Sequence, residues 1–205
     1  MEQQQLLWLA FAAFLLGEVS EGQSWTAPDF CHGYECPQFT EVSRNQDYEE
    51  RRYLASRWIS TKVPSTDRAD LTSGFYRLKD YCNGKNEGGA VISMKTWPAL
   101  ISVTEGGDGS EAEVSVSWFA PANTSLPKPT DSSVTRETRP AANVYIRVFG
   151  GLANHELFLS NLKTLREVLV RDGKSFEPRR YTAAGYDSLF DILHPHHNEA
   201  WISTA

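Results

Sequence analysis

Apolar residues return along this chain at two different periods, and the switch between them marks out its elements. In STDRADLTSGFYRLKDYCNGK, Leu71, Phe75, Leu78 and Cys82 fall at i, i+4, i+7 and i+11, one stripe of an amphipathic helix. Asp67 stands where an N-cap belongs and Gly84 where the helix would stop. A second, longer helix is predicted from a cap at Asn154 through Leu157, Phe158, Leu162, Leu165, Val168 and Leu169 to Gly173. Val114, Val116 and Trp118 alternate with serines, and Val144, Ile146 and Val148 alternate again, the period of half-buried strands. Residues 53–63 read as a strand whose Trp58, Ile59 and Val63 alternate imperfectly, and 91–103 as a strand bent at Pro98. Two last strands are predicted over 179–186 and 200–203. Residues 23–46 carry no period, 120–140 reads as a loop rich in Pro, Ser and Thr, and Gly106-Gly107-Asp108-Gly109 reads as a hairpin loop.

The order of these elements is itself a pattern. Strand, helix, strand, strand occurs over 53–119 and again over 143–203, with each helix ending at a glycine. That is a duplicated unit of about ninety residues, too long for a solenoid repeat. The expectation is an α+β fold in which two pseudo-symmetric halves share one antiparallel or mixed sheet, with both helices on one side. Neither half buries enough alone, so residues 23–205 are read as a single domain.

The first residues read as targeting rather than fold. Residues 6–16 form an unbroken apolar run of eleven, too short to span a bilayer and the right size for a signal-peptide core. Ser20 and Gly22 supply a small-x-small cleavage pattern, so 1–22 is the expected signal peptide and the mature chain begins at Gln23. The leading segment lacks Lys and Arg, which departs from the usual pattern. Secretion is expected, with no stable membrane insertion after cleavage. The formal net charge is −6; losing Glu2, Glu18 and Glu21 leaves 20 bases against 23 acids, or −3. Neither value suits a general nucleic-acid binder.

An oxidising compartment changes the reading of the cysteines. Cys31 and Cys36 bracket CHGYEC and are expected to close a disulfide, since only His32 stands near enough to complete a metal set. Cys82, on the helical stripe, is expected to remain a buried thiol. Asn123-Thr124-Ser125 is a glycosylation sequon in the Pro-rich loop. His194, His196 and His197 form the one histidine cluster and are candidate ligands for iron or another transition metal. Pro195 and Asn198 favour the plainer reading, a solvated turn. His155 and His32 read as surface residues. Leu71, Phe75 and Leu78 either line a ligand cleft or are plain core, and Lys79 beside them can reach an acidic group. No G-x-S-x-G, H-E-x-x-H or phosphate loop is present, and no carboxylate pair is recognisable as acid and base.

Four segments, YEERRY with WIST (48–61), GKNEGG (84–89), VRDGKSFEPRRYTAAGY (170–186) and NEAW (198–201), together with the strand–helix order, resemble the SOUL/heme-binding protein family. The resemblance runs from about Trp25 to the end. It implies a distorted β-barrel of two pseudo-symmetric halves with a pair of helices, and a heme or other tetrapyrrole as ligand. Arg52 matches the position where one branch has a His proposed as axial ligand. A guanidinium has no lone pair for iron, so Arg52 is either a partner for a propionate or an exposed strand residue. Met94-Lys95-Thr96-Trp97-Pro98-Ala99 is one residue longer than the family's M-T-x-P-V strand. Thr72, Asp80 and Asp191 match positions where another branch has basic residues beside the propionates. The expectation is a secreted, non-enzymatic binder of heme or a related planar apolar ligand. The ligand would lie on the first helix, with Arg52, Lys79 or the C-terminal histidines at its polar edge. The alternative is a protein-interaction module without a heme site, because 157–170 resembles the segment by which the family's cell-death branch engages survival proteins.

Overall fold

The structure, a computed structural model, describes residues 25–107, 109–152, 154–187 and 196–205. Nine strands are β1 (Phe39–Arg44), β2 (Glu49–Tyr53), β3 (Ser56–Val63), β4 (Ala99–Thr104), β5 (Glu113–Ala120), β6 (Val134–Arg139), β7 (Ala142–Phe149), β8 (Arg180–Gly185) and β9 (Asn198–Ser203). Helix α1 (Arg68–Cys82) joins β3 to β4, and α2 (His155–Arg171) joins β7 to β8. The strands form one sheet in the order β1-β2-β7-β9-β8-β4-β5-β3-β6, every neighbouring pair antiparallel. It curls into a half-barrel.

The duplication is present and is interlocked. One half is β2-β3-α1-β4-β5 and the other β6-β7-α2-β8-β9, and they meet where β4 pairs with β8. The leading strand of each half crosses to the other: β2 pairs with β7, and β6 with β3. The segment read as one strand over 53–63 is therefore two strands, parted at Leu54 and Ala55. β6 lies in the stretch read as loop, and β1 in the stretch read as irregular. Both are sheet edges, and edges carry charge against stray pairing instead of an apolar alternation. Of 91–103, only Ala99–Thr104 joins the ladder.

The caps show how local chemistry sets the helices. Asn154 Oδ1 accepts from the Leu157 N–H at 2.8 Å, as expected of an N-cap. Asp67 makes no such bond; Ser65 Oγ instead donates to Asp70 Oδ2 at 2.8 Å and accepts from the Asp67 N–H at 3.0 Å. Both chains leave their helix through a glycine at positive φ, Gly84 at 106° and Gly173 at 65°.

Alternation along the strands gives the sheet two buried faces. On the helix side, Ile59, Val63, Val103, Val114 and Val116 meet Leu78, Tyr81 and Cys82 of α1. Tyr145, Ala200 and Ile202 meet Leu162, Leu165, Val168 and Leu169 of α2. On the other face, Tyr53, Trp58, Leu100, Phe119, Tyr186 and Trp201 are covered by the N-terminal segment, with Trp25, Phe30, Cys31, Cys36 and Phe39. Gly74 lets α1 sit close: a Cβ there would come within 2.7 Å of Val63 Cγ1.

Candidate functional site

β2 turns Arg51 and Arg52 to opposite faces. Arg52 is exposed, between Thr40 and Asn143 in the ladder. Arg51 is buried on the face covered by the N-terminal segment. Its Nε donates to Glu49 Oε2 at 2.7 Å, and its Nη1 donates to Glu199 Oε1 at 2.9 Å and to the Tyr53 hydroxyl at 3.2 Å. Glu199 also accepts from the Tyr186 hydroxyl at 3.1 Å and from Trp201 Nε1 at 2.6 Å, and it pairs with His197 Nε2 at 2.7 Å. Burial by itself would raise the Glu199 carboxyl. The His197 hydrogen bond and the Arg51 charge outweigh it and hold the group below its usual range. The same burial and the charge on Glu199 push the Tyr186 phenol well up. Every polar group of this cluster named here has a partner, the condition under which a buried ion pair is tolerated.

The residues expected to share one site are dispersed. Leu78 is core, Leu71 and Phe75 are half-buried at its margin, and Phe75 lies 6.3 Å from the Trp118 ring. Lys79 is exposed, 5.9 Å from the Tyr76 ring; Thr72 is exposed, and Asp80 is taken by Lys85 at 2.6 Å. His197 is on the opposite face of the sheet, its ring stacked 4.1 Å from Phe30. A single ligand lying on α1 therefore cannot also reach His197, because the sheet stands between them. His196 is half-buried, and His194 and Asp191 lie outside the described residues. Cys31 and Cys36 are joined, with Cα atoms 6.3 Å apart, and Cys82 is a buried thiol pushed up to about 12 by burial. Asn123 is exposed.

An open cleft of about 550 Å³ lies on the helix side, where the turn leading into α1 faces the end of β4 and the start of β5. Pro64, Ala112 and Tyr181 supply its exposed apolar surface, over Val103 and Val114, which are each only 4% exposed; Ser65 and Thr66 form one wall, and Glu105 and Glu111 part of the rim. Tyr181 is held from behind: Phe158 lies 5.8 Å from its ring and the Arg166 guanidinium 5.5 Å. Arg166 is fixed in turn by Glu105 Oε1 and the Pro178 carbonyl, each at 2.9 Å. Burial, then Glu105, pushes the Tyr181 phenol up, with Arg166 opposing. Arg179 lies across Gly107 at the mouth, so a side chain at Gly107 would collide with its guanidinium. Among the described residues lining the cleft there is no His, Cys or Met, and the Tyr181 phenol, the one side chain there of a heme-ligand type, is kept protonated by burial and Glu105, so iron finds no ready ligand here. The apolar surface suits a porphyrin ring, and Arg179 suits a carboxylate at its edge.

Neither the cleft nor the ion cluster is visible in the sequence periods. The cleft joins turns distant in sequence. The cluster did leave a trace: Glu199 is a charge beside the apolar Ala200, Trp201 and Ile202 in NEAWIS, every residue of which up to Ile202 is buried.

Fold and cleft together define a duplicated α+β half-barrel with a ligand-sized recess beside its first helix. The family model described as SOUL heme-binding protein matches residues 34–203, and the chain belongs to that family. It is 36% identical over 160 residues to Heme-binding protein 2 of Homo sapiens, covering 76% of this chain and 77% of that protein. It is 29% identical over 163 residues to Heme-binding protein 1 of Mus musculus, covering 77% and 84%. Among solved structures, the EcmrR C-terminal domain superposes with a TM-score of 0.53 at 10% identity, covering 77% of this chain and 99% of that one, a likeness of fold.

Proposed function

We propose that this protein is a secreted, non-enzymatic binder of heme or a related tetrapyrrole, held in the cleft between α1 and Tyr181. The observation that carries this reading is the cleft's aromatic ring, Tyr181, with Pro64 and Ala112 beside it, in a member of a heme-binding family. Its volume is in the range of small-ligand sites, roughly 300–1,000 Å³. Ring contact is the source of affinity, and Arg179, lying over Gly107 beside the lining residue Gly106, can meet a carboxylate. Bound heme would present a flat apolar face, and iron-free porphyrin presents the same face. Hemin and iron-free protoporphyrin IX should therefore bind with similar affinity. Ala112→Trp, at an exposed lining position, should weaken both by at least about tenfold. Binding of hemin alone, or full binding by Ala112→Trp, would remove the reading.

Secretion is supported by the joined Cys31–Cys36 pair and by the exposed sequon at Asn123. Expression in secreting cells should yield protein in the medium that begins at Gln23 and loses mass on N-glycan removal. Full-length protein kept in the cytosol would refute it. The interaction-module reading has less support, because the apolar stripe of α2 is buried against β7 and β9.

A further inference from the structure

The N-terminal segment of residues 25–38 runs over the face of the sheet away from the helices, and Phe30 packs there against the buried cluster. The Phe30 ring lies parallel to His197, at 4.1 Å and 9°, and edge-on to Tyr186 at 4.8 Å. The Arg51 guanidinium lies 5.4 Å from its centroid. Besides its core packing, this strap is bonded to the body among the described residues at these points. The Leu54 N–H donates to Gln38 O at 2.9 Å, the Trp97 N–H donates to Glu35 O at 3.1 Å, and His32 Nε2 is 2.8 Å from Asp187 Oδ1. Its other backbone bonds, such as the Cys31 N–H to Pro28 O, are local to itself. The Cys31–Cys36 disulfide closes the strap's own loop and so pre-organises it. Phe30 and Cys31 precede the residues, 34–203, that match the family model.

We propose that Phe30 is an internal occupant of a second binding slot, framed by His197, Tyr186 and Arg51, that accepts a flat aromatic ring without negative charge when the strap lifts. The chemistry of the frame sets the class. The imidazole and the phenol ring supply one stacking and one edge contact, as they do for Phe30. Glu41, Glu49 and Glu199 stand against Arg44 and Arg51, three carboxylates linked to two guanidiniums, so the slot repels an anionic ring. The strap and a ligand compete for the same place, and anything that loosens the strap raises apparent affinity by raising the open fraction. This slot is on the opposite side of the sheet from the cleft proposed above and does not depend on it.

The test uses the chain from Gln23 to Ala205 and two fluorescent probes, neutral N-phenyl-1-naphthylamine and the anionic 8-anilinonaphthalene-1-sulfonate. Phe30→Ala keeps the disulfide, and the pair Cys31→Ser, Cys36→Ser keeps every aromatic of the slot. Both should bind the neutral probe at least about tenfold more tightly than wild type, while unfolding cooperatively with an unchanged m-value. Phe30→Trp should bind no better than wild type. The gain should vanish when His197→Ala is added and persist when Ala112→Trp is added. The inference is overturned if neither variant gains affinity, if the gain survives His197→Ala, or if the sulfonate gains more than the neutral probe.

Discussion

Arg51 Nη1 lies 2.9 Å from Glu199 Oε1 although 148 positions separate them in the chain, and neither side chain is more than 1% exposed. This contact binds β2, the leading strand of the first half, to β9, the last strand of the second, through the β7 that lies between them. It is a cross-link that the strand swap makes possible.

Removing one member strands the other. Arg51→Met should lower stability by about 3–5 kcal/mol, the range for breaking a buried pair, because Glu199 is left without its cation. Arg52→Ala, one position along and on the exposed side, should change stability by less than about 0.5 kcal/mol. Urea unfolding of the two variants checks the contrast. Equal losses would mean that the burial of Arg51 has been misjudged.

Glu199 also gives stability a pH signature. Its folded pKa is below the ordinary 4.5, so the ionised form favours the native state. The contribution is fully present above that value and is lost as pH falls through it toward the depressed folded pKa. A urea midpoint that drops between pH 6 and pH 3 in wild type should drop less in Glu199→Gln. Parallel curves for the two proteins would assign the acid sensitivity elsewhere.

Gly74 tests how tightly α1 sits on the sheet. A methyl at that position meets Val63 Cγ1 at 2.7 Å and Val116 Cγ2 at 3.1 Å. Gly74→Ala gains helix propensity of about 1 kcal/mol but overpacks the seam at about 1–3 kcal/mol, so a net loss is expected. Pairing it with Val63→Ala should return part of that loss, which a double-mutant cycle measures.

The two caps should behave differently although both looked alike in sequence. Asn154→Ala deletes the bond to the Leu157 N–H and should cost about 1 kcal/mol. Asp67→Ala deletes no cap bond and should cost less, leaving at most the attraction of a carboxylate to a helix start. Thermal melts of the single variants decide it.

Cys82 should resist thiol reagents at pH 8 in the native protein and react at once in urea, because burial holds its thiol up to about 12. Rapid native reaction would show that the C-terminal turn of α1 opens readily.

What the sequence by itself determined is whatever rests on near neighbours. The stripe at Leu71, Leu78 and Cys82 makes α1, and the alternation in EVSVSWF makes β5. The order of elements repeats, which was enough to place two helices on one face of a shared antiparallel sheet. The short loop CHGYEC closes its own disulfide. Only the tertiary structure decided which strand pairs with which. β1 and β6 carry edge charges that hide a strand's period, and the swap of β2 and β6 between halves has no local signature. For the same reason Arg51, and not its exposed neighbour, became the buried cation. Alternation says that two adjacent arginines face opposite ways, but which face is covered depends on the strap that folds over it. The cleft beside Tyr181 and the histidine on the far side of the sheet follow the same rule: the chemistry of a side chain is local, while its burial is set by elements far away in sequence.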